Sequence, residues 1–182
     1  VGYPWISDPR AFARAHTVVI VESPINALSA ESAFTVGRLT QWATLALRGV
    51  ANAENLDLLP LRGKRVVLCL DKDSPTDQGR CAGQEATWAL HLRLTAARIA
   101  AHLVDQADWA FGDDLNDVLR THGAEHTAKA LQRFQPWAIP GVSGVVEPGR
   151  KRIFLPAADF AIYDHFRVRE DFTSSFTRDQ DR

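Results

Sequence analysis

The fold is decided by the stretch Thr17-Val18-Val19-Ile20-Val21-Glu22-Ser23-Pro24. Its first five residues are all β-branched, and such a continuous run is typical of a strand that is buried on both faces of a sheet. Pro24 suits the first turn of a helix, because its missing N–H needs no partner there. We therefore predict a strand over the five β-branched residues and a helix over 25–34, with Ile25 and Leu28 on one face.

The same alternation of strands and helices continues to residue 134. Further strands are predicted at 43–47, 65–70 and 97–104. A helix is predicted at 52–59, with Asn52 as its N-cap and Pro60 at its end. A second is predicted at 79–94, and its inward-facing residues are Ala82, Ala86, Ala89 and Leu90. A third is predicted at 114–134, with a break at Gly123. Because strands that alternate with helices form βα units, the sequence predicts an α/β fold with about four mainly parallel strands flanked by helices.

Composition divides the chain into three parts. Residues 1–16 form a short leading segment, and residues 17–135 form the α/β domain. Residues 136–149 are rich in Pro, Gly and Val, so we interpret 136–182 as a linker and a small C-terminal appendage, or as the start of another domain. The sequence contains no methionine and opens on Val1, and we expect it to be a fragment of a longer protein.

The overall composition narrows the functional classes. Apolar residues make up 46% of the chain, which is enough for a sizeable core. The 21 basic and 22 acidic side chains leave a net charge of −1, so no overall basic field is present to hold nucleic acid. Two cysteines exclude a disulfide framework and a Cys₄ zinc module, and they fit a reducing cytoplasm. The sequence shows neither a signal peptide nor the apolar stretch of about 18 residues that a membrane span needs.

Acidic residues follow two of the predicted strands. Glu22 comes directly after the first strand, and Asp71 and Asp73 come directly after the third. The carboxyl ends of parallel strands meet at the edge of the sheet where ligands gather. The carboxylates of Asp71 and Asp73, which are two residues apart, repel each other unless a cation or a proton lies between them. Mg²⁺ is the hard cation that carboxylate oxygens bind. The alternatives are a D-x-D without a metal and a glutamate that merely complements a helix N-terminus.

A second acidic element is Gly112-Asp113-Asp114-Leu115-Asn116-Asp117. One interpretation is a helix cap, with Asp113 or Asp114 as the N-cap residue. The other is a further carboxylate for the same sheet edge, and the two interpretations are compatible. Arg48 and Lys72 fall on this edge as well, where they could contact phosphate or simply be solvated.

Four segments together resemble the TOPRIM domain of phage and plasmid primases and primase-helicases. The segments, which occur in the family's order between residues 17 and 134, are Val18 to Leu28, Val66 to Asp73, Gly79 to Ala86 and Asp114 to Leu119. The family usually has Gly after the glutamate and Asp in the following turn, where this chain has Ser23 and Asn26. Asp113 replaces a lysine that usually precedes the last element.

The resemblance implies a TOPRIM, Rossmann-like fold and roles for six residues. These are catalytic and metal-binding roles for Glu22, Asp71 and Asp73, a metal-binding role for Asp114, and contacts with substrate phosphate for Arg48 and Lys72. The bound ion would be Mg²⁺ or Mn²⁺. Glu22 would be a metal ligand or a general acid/base at the 3′-hydroxyl.

The function that the resemblance implies is that of a DNA primase, which makes RNA primers in the replication of a mobile element. Its partners would be a single-stranded DNA template, nucleoside triphosphates and a helicase domain or subunit. No interaction with a membrane is expected. A TOPRIM nuclease that uses the same metals, and a non-catalytic TOPRIM binding module, are the alternatives. A topoisomerase needs a nucleophilic tyrosine, and the two tyrosines, Tyr3 and Tyr163, both lie outside the predicted domain.

Overall fold

A computed structural model of the chain describes residues 3–74, 76 and 82–134, and the backbone of 142–143 and 155–156. The rest of the predicted appendage and the first residues of the helix predicted at 79–94 lie outside the described residues. Within the described part, no helix is long and apolar enough to span a membrane.

The elements alternate in the order expected for an α/β domain. They are α1 (Pro9–Arg14), β1 (Thr17–Val21), α2 (Pro24–Gly37), β2 (Trp42–Ala46), two 3₁₀ helices (Val50–Asn55 and Leu59–Leu61), β3 (Arg65–Leu68), α3 (Ala82–Ala96), β4 (Ala100–Leu103), α4 (Leu115–Ala130), and the short strands β5 (Val142–Ser143) and β6 (Leu155–Pro156). The strands β5 and β6 form a separate antiparallel pair.

The four longer strands form one parallel sheet in the order β2-β1-β3-β4. Thr17, at the start of β1, is in register with Trp42 on one side and with Arg65 on the other. All five residues of β1 are buried, as the β-branched run predicts. The prediction of four mainly parallel strands flanked by helices is therefore confirmed.

Two hydrophobic cores lie on the two faces of this sheet. Alternate side chains of a strand point to opposite faces, so Val18 and Ile20 enter one core while Val19 and Val21 enter the other. Trp88 of α3 is the largest fully buried side chain of the first core. The helices α2 and α4 pack together on the opposite face. The sheet is thus covered on both faces, and its carboxyl edge is left for the loops.

Some predicted boundaries need correction. The strand predicted at 65–70 ends at Leu68 and the strand predicted at 97–104 covers only Ala100–Leu103. Cys69 and Leu70 are nevertheless buried. Arg98 adopts a left-handed conformation with φ 58°, which makes a turn and delays the start of β4. Buried apolar residues therefore extend beyond the hydrogen-bonded strands.

The helix predicted at 52–59 is wrong, because the two 3₁₀ helices occupy this segment instead. Asn52 is not an N-cap, since its side-chain amide donates to the carbonyl oxygens of Leu47 and Arg48 behind it. Pro60 does not end a helix but lies inside the second 3₁₀ helix.

The inward faces of two helices also differ from the prediction. Ile25 and Leu28 of α2 are 52% and 47% exposed, and Ala82 and Ala89 of α3 are exposed as well. The buried residues of α2 are instead Asn26, Ala27, Ser29, Ala30, Ala33 and Phe34. Small residues let α2 approach its neighbours closely, so close packing, and not the hydrophobicity of single residues, decides which face of α2 is buried. The break predicted in the last helix is confirmed, since Gly123 has φ 80° and ψ 170°.

Candidate functional site

The acidic residues converge at the carboxyl edge of the sheet. Glu22 directly follows β1, Asp71 and Asp73 lie on the chain that leaves β3, and Asp114 immediately precedes α4. All four are partly buried. Burial, and after it the negative charges of Asp73 and Asp114, raises the pKa of Glu22, so both charges reach this carboxyl group. The structure therefore brings together the four acidic residues that the sequence singles out.

Asp71 has the most perturbed carboxyl group of this site. Burial, followed by the negative charges of Glu22, Asp114 and Asp73, raises the pKa of Asp71 from its ordinary 3.8 to about 7. A hydrogen bond between the carboxyl groups of Asp71 and Glu22 adds to this shift. Such a bond between two carboxyl groups needs one proton, which the pair shares.

Glu22 is held in place by the turn that follows β2. Burial is the main reason why its pKa is raised, and a hydrogen bond from the backbone N–H of Val50 partly offsets that effect. The carbonyl oxygen of Glu22 accepts from the N–H groups of Arg48 and Gly49, at 2.8 and 3.3 Å. The carboxylate and the turn are thus fixed to one another.

Arg48 lies at the same edge, in an unusual backbone conformation. Its φ is 63°, in the left-handed region that side chains rarely adopt, and Gly49 follows with φ 113°. The Arg48 side chain is exposed. A strained, exposed arginine beside a carboxylate cluster is available to an anionic ligand.

Asp73 is anchored by the start of α3. The backbone N–H of Gly83 donates to its Oδ2. A Cβ atom at position 83 would overlap the carbonyl oxygen of Asp71 and lie 3.1 Å from Asp73 Oδ2. Glycine is therefore required for the helix to approach the D-x-D segment this closely.

Asp71 is anchored by Asn26, a residue to which the sequence assigns no role. The side-chain amide of Asn26 donates to Asp71 Oδ1 at 2.9 Å, and its Oδ1 accepts from the backbone N–H of Asn116 at 3.2 Å. Asn26 is completely buried. The sequence signal for this residue is a departure from the resemblance, which implies an aspartate where this chain has Asn26.

Asp114 is the N-cap of α4, as one of the two interpretations predicts. Its Oδ1 accepts from the N–H of Asp117 at 2.8 Å, and the Asp117 side chain accepts from the N–H of Asp114. The same residue raises the pKa of Asp71 and Glu22, so the cap also contributes charge to the site. Asp113 is engaged elsewhere, because its Oδ2 accepts from the N–H of Ala110.

Lys72 is placed differently from the phosphate contact that the sequence suggests. Its side chain is buried, and its Nζ donates to the carbonyl oxygens of Gln106 and Trp109 at 2.9 and 2.7 Å. Nζ also lies 5.0 Å from the centre of the Phe111 ring. In extended chain, neighbouring side chains point to opposite sides, so Lys72 points away from the side of Asp71. Its role in this structure is to hold a loop.

The donor chemistry of the site fits Mg²⁺ or Mn²⁺. Carboxylate oxygens are the ligands that these hard cations take, and a cation would offset the negative charge that, after burial, raises the pKa of Glu22 and Asp71. Within the part of the chain that the structure describes, no group of three or more His, Cys, Asp or Glu side chains is arranged so that it could hold a metal ion as it stands, so the fit rests on the chemistry of the donors.

Comparison with known proteins identifies the family. The sequence model of the Toprim domain matches residues 17–125, which is more than half of the chain. No curated protein and no solved structure matches the chain. Toprim domains are found in metal-binding enzymes that act on nucleic acids, including primases, nucleases and topoisomerases. The match runs from β1 into α4 and therefore includes the whole parallel sheet. The chain belongs to the Toprim domain family.

Proposed function

We propose that this chain catalyses metal-dependent nucleotidyl transfer on nucleic acid, as the catalytic Toprim part of a DNA primase that makes RNA primers in mobile-element replication. The observation that carries the proposal is the convergence of Glu22, Asp71, Asp73 and Asp114, with the pKa of Asp71 raised to about 7. Perturbed carboxyl groups that cluster at the ligand edge of a parallel sheet are typical of catalytic sites.

In this proposal Glu22, Asp71 and Asp73 would hold Mg²⁺ or Mn²⁺, and Asp114 would add negative charge or a further ligand. When bound, the cation orients phosphate oxygens and offsets the negative charge that develops on them during phosphoryl transfer. The anchors of Asp71 and Asp73, which are the Asn26 amide and the Gly83 N–H, restrict the two carboxylates before substrate arrives. Such preorganisation reduces the rearrangement that the reaction requires.

Glu22 is the candidate for general acid/base catalysis at the attacking 3′-hydroxyl. Burial and the neighbouring negative charge of Asp73 raise the pKa of Glu22 and so make its carboxylate a better proton acceptor. The hydrogen bond from the backbone N–H of Val50 acts in the opposite direction and partly offsets this shift.

Arg48 is the proposed contact for substrate phosphate, and Lys72 is not. The Arg48 guanidinium group is exposed at the site edge, whereas the Lys72 ammonium group is engaged by two carbonyl oxygens. Single-stranded DNA template and nucleoside triphosphates are the proposed substrates. Because the chain has a net charge of −1, we propose that a helicase domain or subunit supplies much of the binding affinity for DNA.

An assay of nucleotide incorporation against strand cleavage tests the proposal. The full chain is incubated with single-stranded DNA and nucleoside triphosphates, in Mg²⁺ and in Mn²⁺, beside the variant Asp71→Asn/Asp73→Asn. Template-dependent incorporation by the wild type, and none by the variant, is expected. Cleavage without incorporation would replace primase by nuclease, and neither activity would favour a binding module.

A further inference from the structure

Asn26 occupies a position from which it reaches both halves of the acidic site. It lies in the first turn of α2, is completely buried, and makes one side-chain hydrogen bond as donor and one as acceptor. The donor bond goes to Asp71, on the segment that leaves β3. The acceptor bond comes from Asn116, in the first turn of α4.

The bond to Asn116 places Asn26 beside the start of the helix that Asp114 caps. The first N–H groups of a helix have no partner within the helix, and Asn26 Oδ1 supplies one to the N–H of Asn116. The Asn116 side chain in turn accepts from the hydroxyl of Ser29, one turn further along α2. The amide of Asn26 therefore ties Asp71 to the helix terminus that carries Asp114.

A neutral amide is the side chain that can make both bonds in this place. A carboxylate could accept from the N–H of Asn116, but in its charged form it has no hydrogen to donate to Asp71. An aliphatic side chain of similar size could do neither. The asparagine thus gives Asp71 a donor and adds no further negative charge to the cluster.

We infer that Asn26 is a positioning residue, which sets the orientation of the Asp71 carboxylate and its placement relative to Asp114 for a divalent cation. This inference rests on the proposed metal-dependent function. Hydrogen-bond partners behind metal ligands orient those ligands, and their loss typically weakens metal binding by about 10- to 100-fold.

Titration of Mn²⁺ into the full chain by calorimetry tests this role without an activity assay. Asn26→Leu retains the branched shape and the number of heavy atoms of the side chain and removes both hydrogen bonds, so we expect Mn²⁺ affinity to fall by about 10-fold or more. Asn26→Ser is a second, smaller change whose hydroxyl is too short to make both contacts, and it is expected to weaken binding in the same direction. Urea unfolding in EDTA shows that each variant is folded.

Ser29→Ala is the matched control on the same helix. It removes the contacts of the hydroxyl with the Asn116 side chain and with the carbonyl oxygen of Ile25 but leaves the bond between Asn26 and Asp71 intact. It should therefore bind Mn²⁺ as the wild type does. A loss of affinity in Ser29→Ala equal to that in Asn26→Leu would show that only the contact between α2 and α4 matters, and would overturn the inference.

Asp71→Asn separates this inference from the proposed function. If Asp71→Asn binds Mn²⁺ as tightly as the wild type, the metal site itself is wrong and the proposed function fails with it. If Asp71→Asn loses affinity while Asn26→Leu and Asn26→Ser retain it within about twofold, the metal site stands and the positioning role is wrong. Loss in all three variants, with Ser29→Ala unchanged, is the expected result.

Discussion

Lys72 and Trp109 are joined by a 2.7 Å hydrogen bond from the lysine ammonium group to the tryptophan carbonyl oxygen. The backbone takes part as well, because the N–H of Lys72 donates to the carbonyl oxygen of Asp113 and its own carbonyl accepts from the N–H of Gly112. The residue between the two aspartates of the D-x-D segment thus fixes the loop that leads to Asp114. Its position links two parts of the acidic site that are distant in the sequence.

Lys72→Met is expected to destabilise the domain. The substitution leaves the carbonyl oxygens of Gln106 and Trp109 without the ammonium donor, and a buried acceptor that loses its partner costs roughly 1–3 kcal/mol. Urea unfolding in EDTA measures the change. Lys129→Met, which breaks an exposed pair with Glu125, should cost less than about 0.5 kcal/mol. Equal stabilities of wild type and Lys72→Met would mean that the ammonium is not held as described.

The raised pKa of Asp71 predicts how the stability of the metal-free chain depends on pH. The folded chain holds a proton on Asp71 that the unfolded chain has already lost, so this carboxyl group stabilises the fold less as pH rises from roughly 4 to 7. His91 and His102 act in the opposite direction, because burial lowers their pKa and favours the neutral form. Their contribution is present in the wild type and in Asp71→Asn alike.

The comparison of those two proteins therefore reports the Asp71 carboxyl group together with its coupling to Glu22. Urea unfolding in EDTA at about pH 5 and about pH 8 should show a larger loss of stability in the wild type than in Asp71→Asn. Added Mn²⁺ should stabilise the wild type more at the higher pH, because no proton then competes with the cation. Parallel pH dependences of the two proteins would contradict the raised pKa of Asp71.

Substitution of two arginines with left-handed backbone conformations distinguishes an effect on stability from an effect on activity. Arg48 lies beside the site with φ 63°, and Arg38 ends α2 with φ 54°. Glycine relieves this conformation, so Arg48→Gly and Arg38→Gly should each raise the free energy of unfolding by up to about 1 kcal/mol.

Only Arg48→Gly should impair the reaction. Loss of a charged hydrogen bond to phosphate corresponds to a rise in the KM for nucleoside triphosphate of about 10-fold. Thermal unfolding and steady-state incorporation kinetics measure the two effects. If Arg38→Gly raised KM as much as Arg48→Gly, the proposed contact of Arg48 with phosphate would be wrong.

Gly83→Ala should damage both the fold and metal binding. The added methyl group would overlap the carbonyl oxygen of Asp71, and relief of such overpacking costs roughly 1–3 kcal/mol. It would also move the N–H that anchors Asp73. Ala89→Ser, on the exposed side of the same helix, should change stability by less than about 0.5 kcal/mol. Wild-type Mn²⁺ affinity in Gly83→Ala would show that this anchor is unimportant.

The sheet is predictable because its signals are local. A run of β-branched residues such as 17–21 can hardly be anything but a buried strand, and β1 has those bounds. Residues that end parallel strands must meet at one edge, which is why the sequence pattern suffices to place Glu22 and Asp71 together. The role of Asp114 as the N-cap of α4 can also be predicted from the sequence, since an aspartate three residues after it completes a capping box.

The features that the sequence does not predict depend on partners distant in the chain. The exposure of Ile25 arises because α2 uses small residues to approach α4, and a single helix does not reveal its neighbour. Lys72 is buried because carbonyl oxygens of a loop more than thirty residues later surround its ammonium group. Asn26 finds Asp71 and Asn116 only after the sheet has formed. In the sequence, each of these residues resembles an ordinary polar or apolar position.

The most direct test of the central claim is calorimetric titration of Mn²⁺ into the full chain and into Asp71→Asn/Asp73→Asn. Asp108→Asn/Glu125→Gln is the control, because it also removes two negative charges, here from exposed ion pairs away from the site. We expect the wild type and the control to bind Mn²⁺ alike and Asp71→Asn/Asp73→Asn to bind at least about 100-fold more weakly. Equal binding by all three proteins would contradict a metal centre at the carboxyl edge of this sheet.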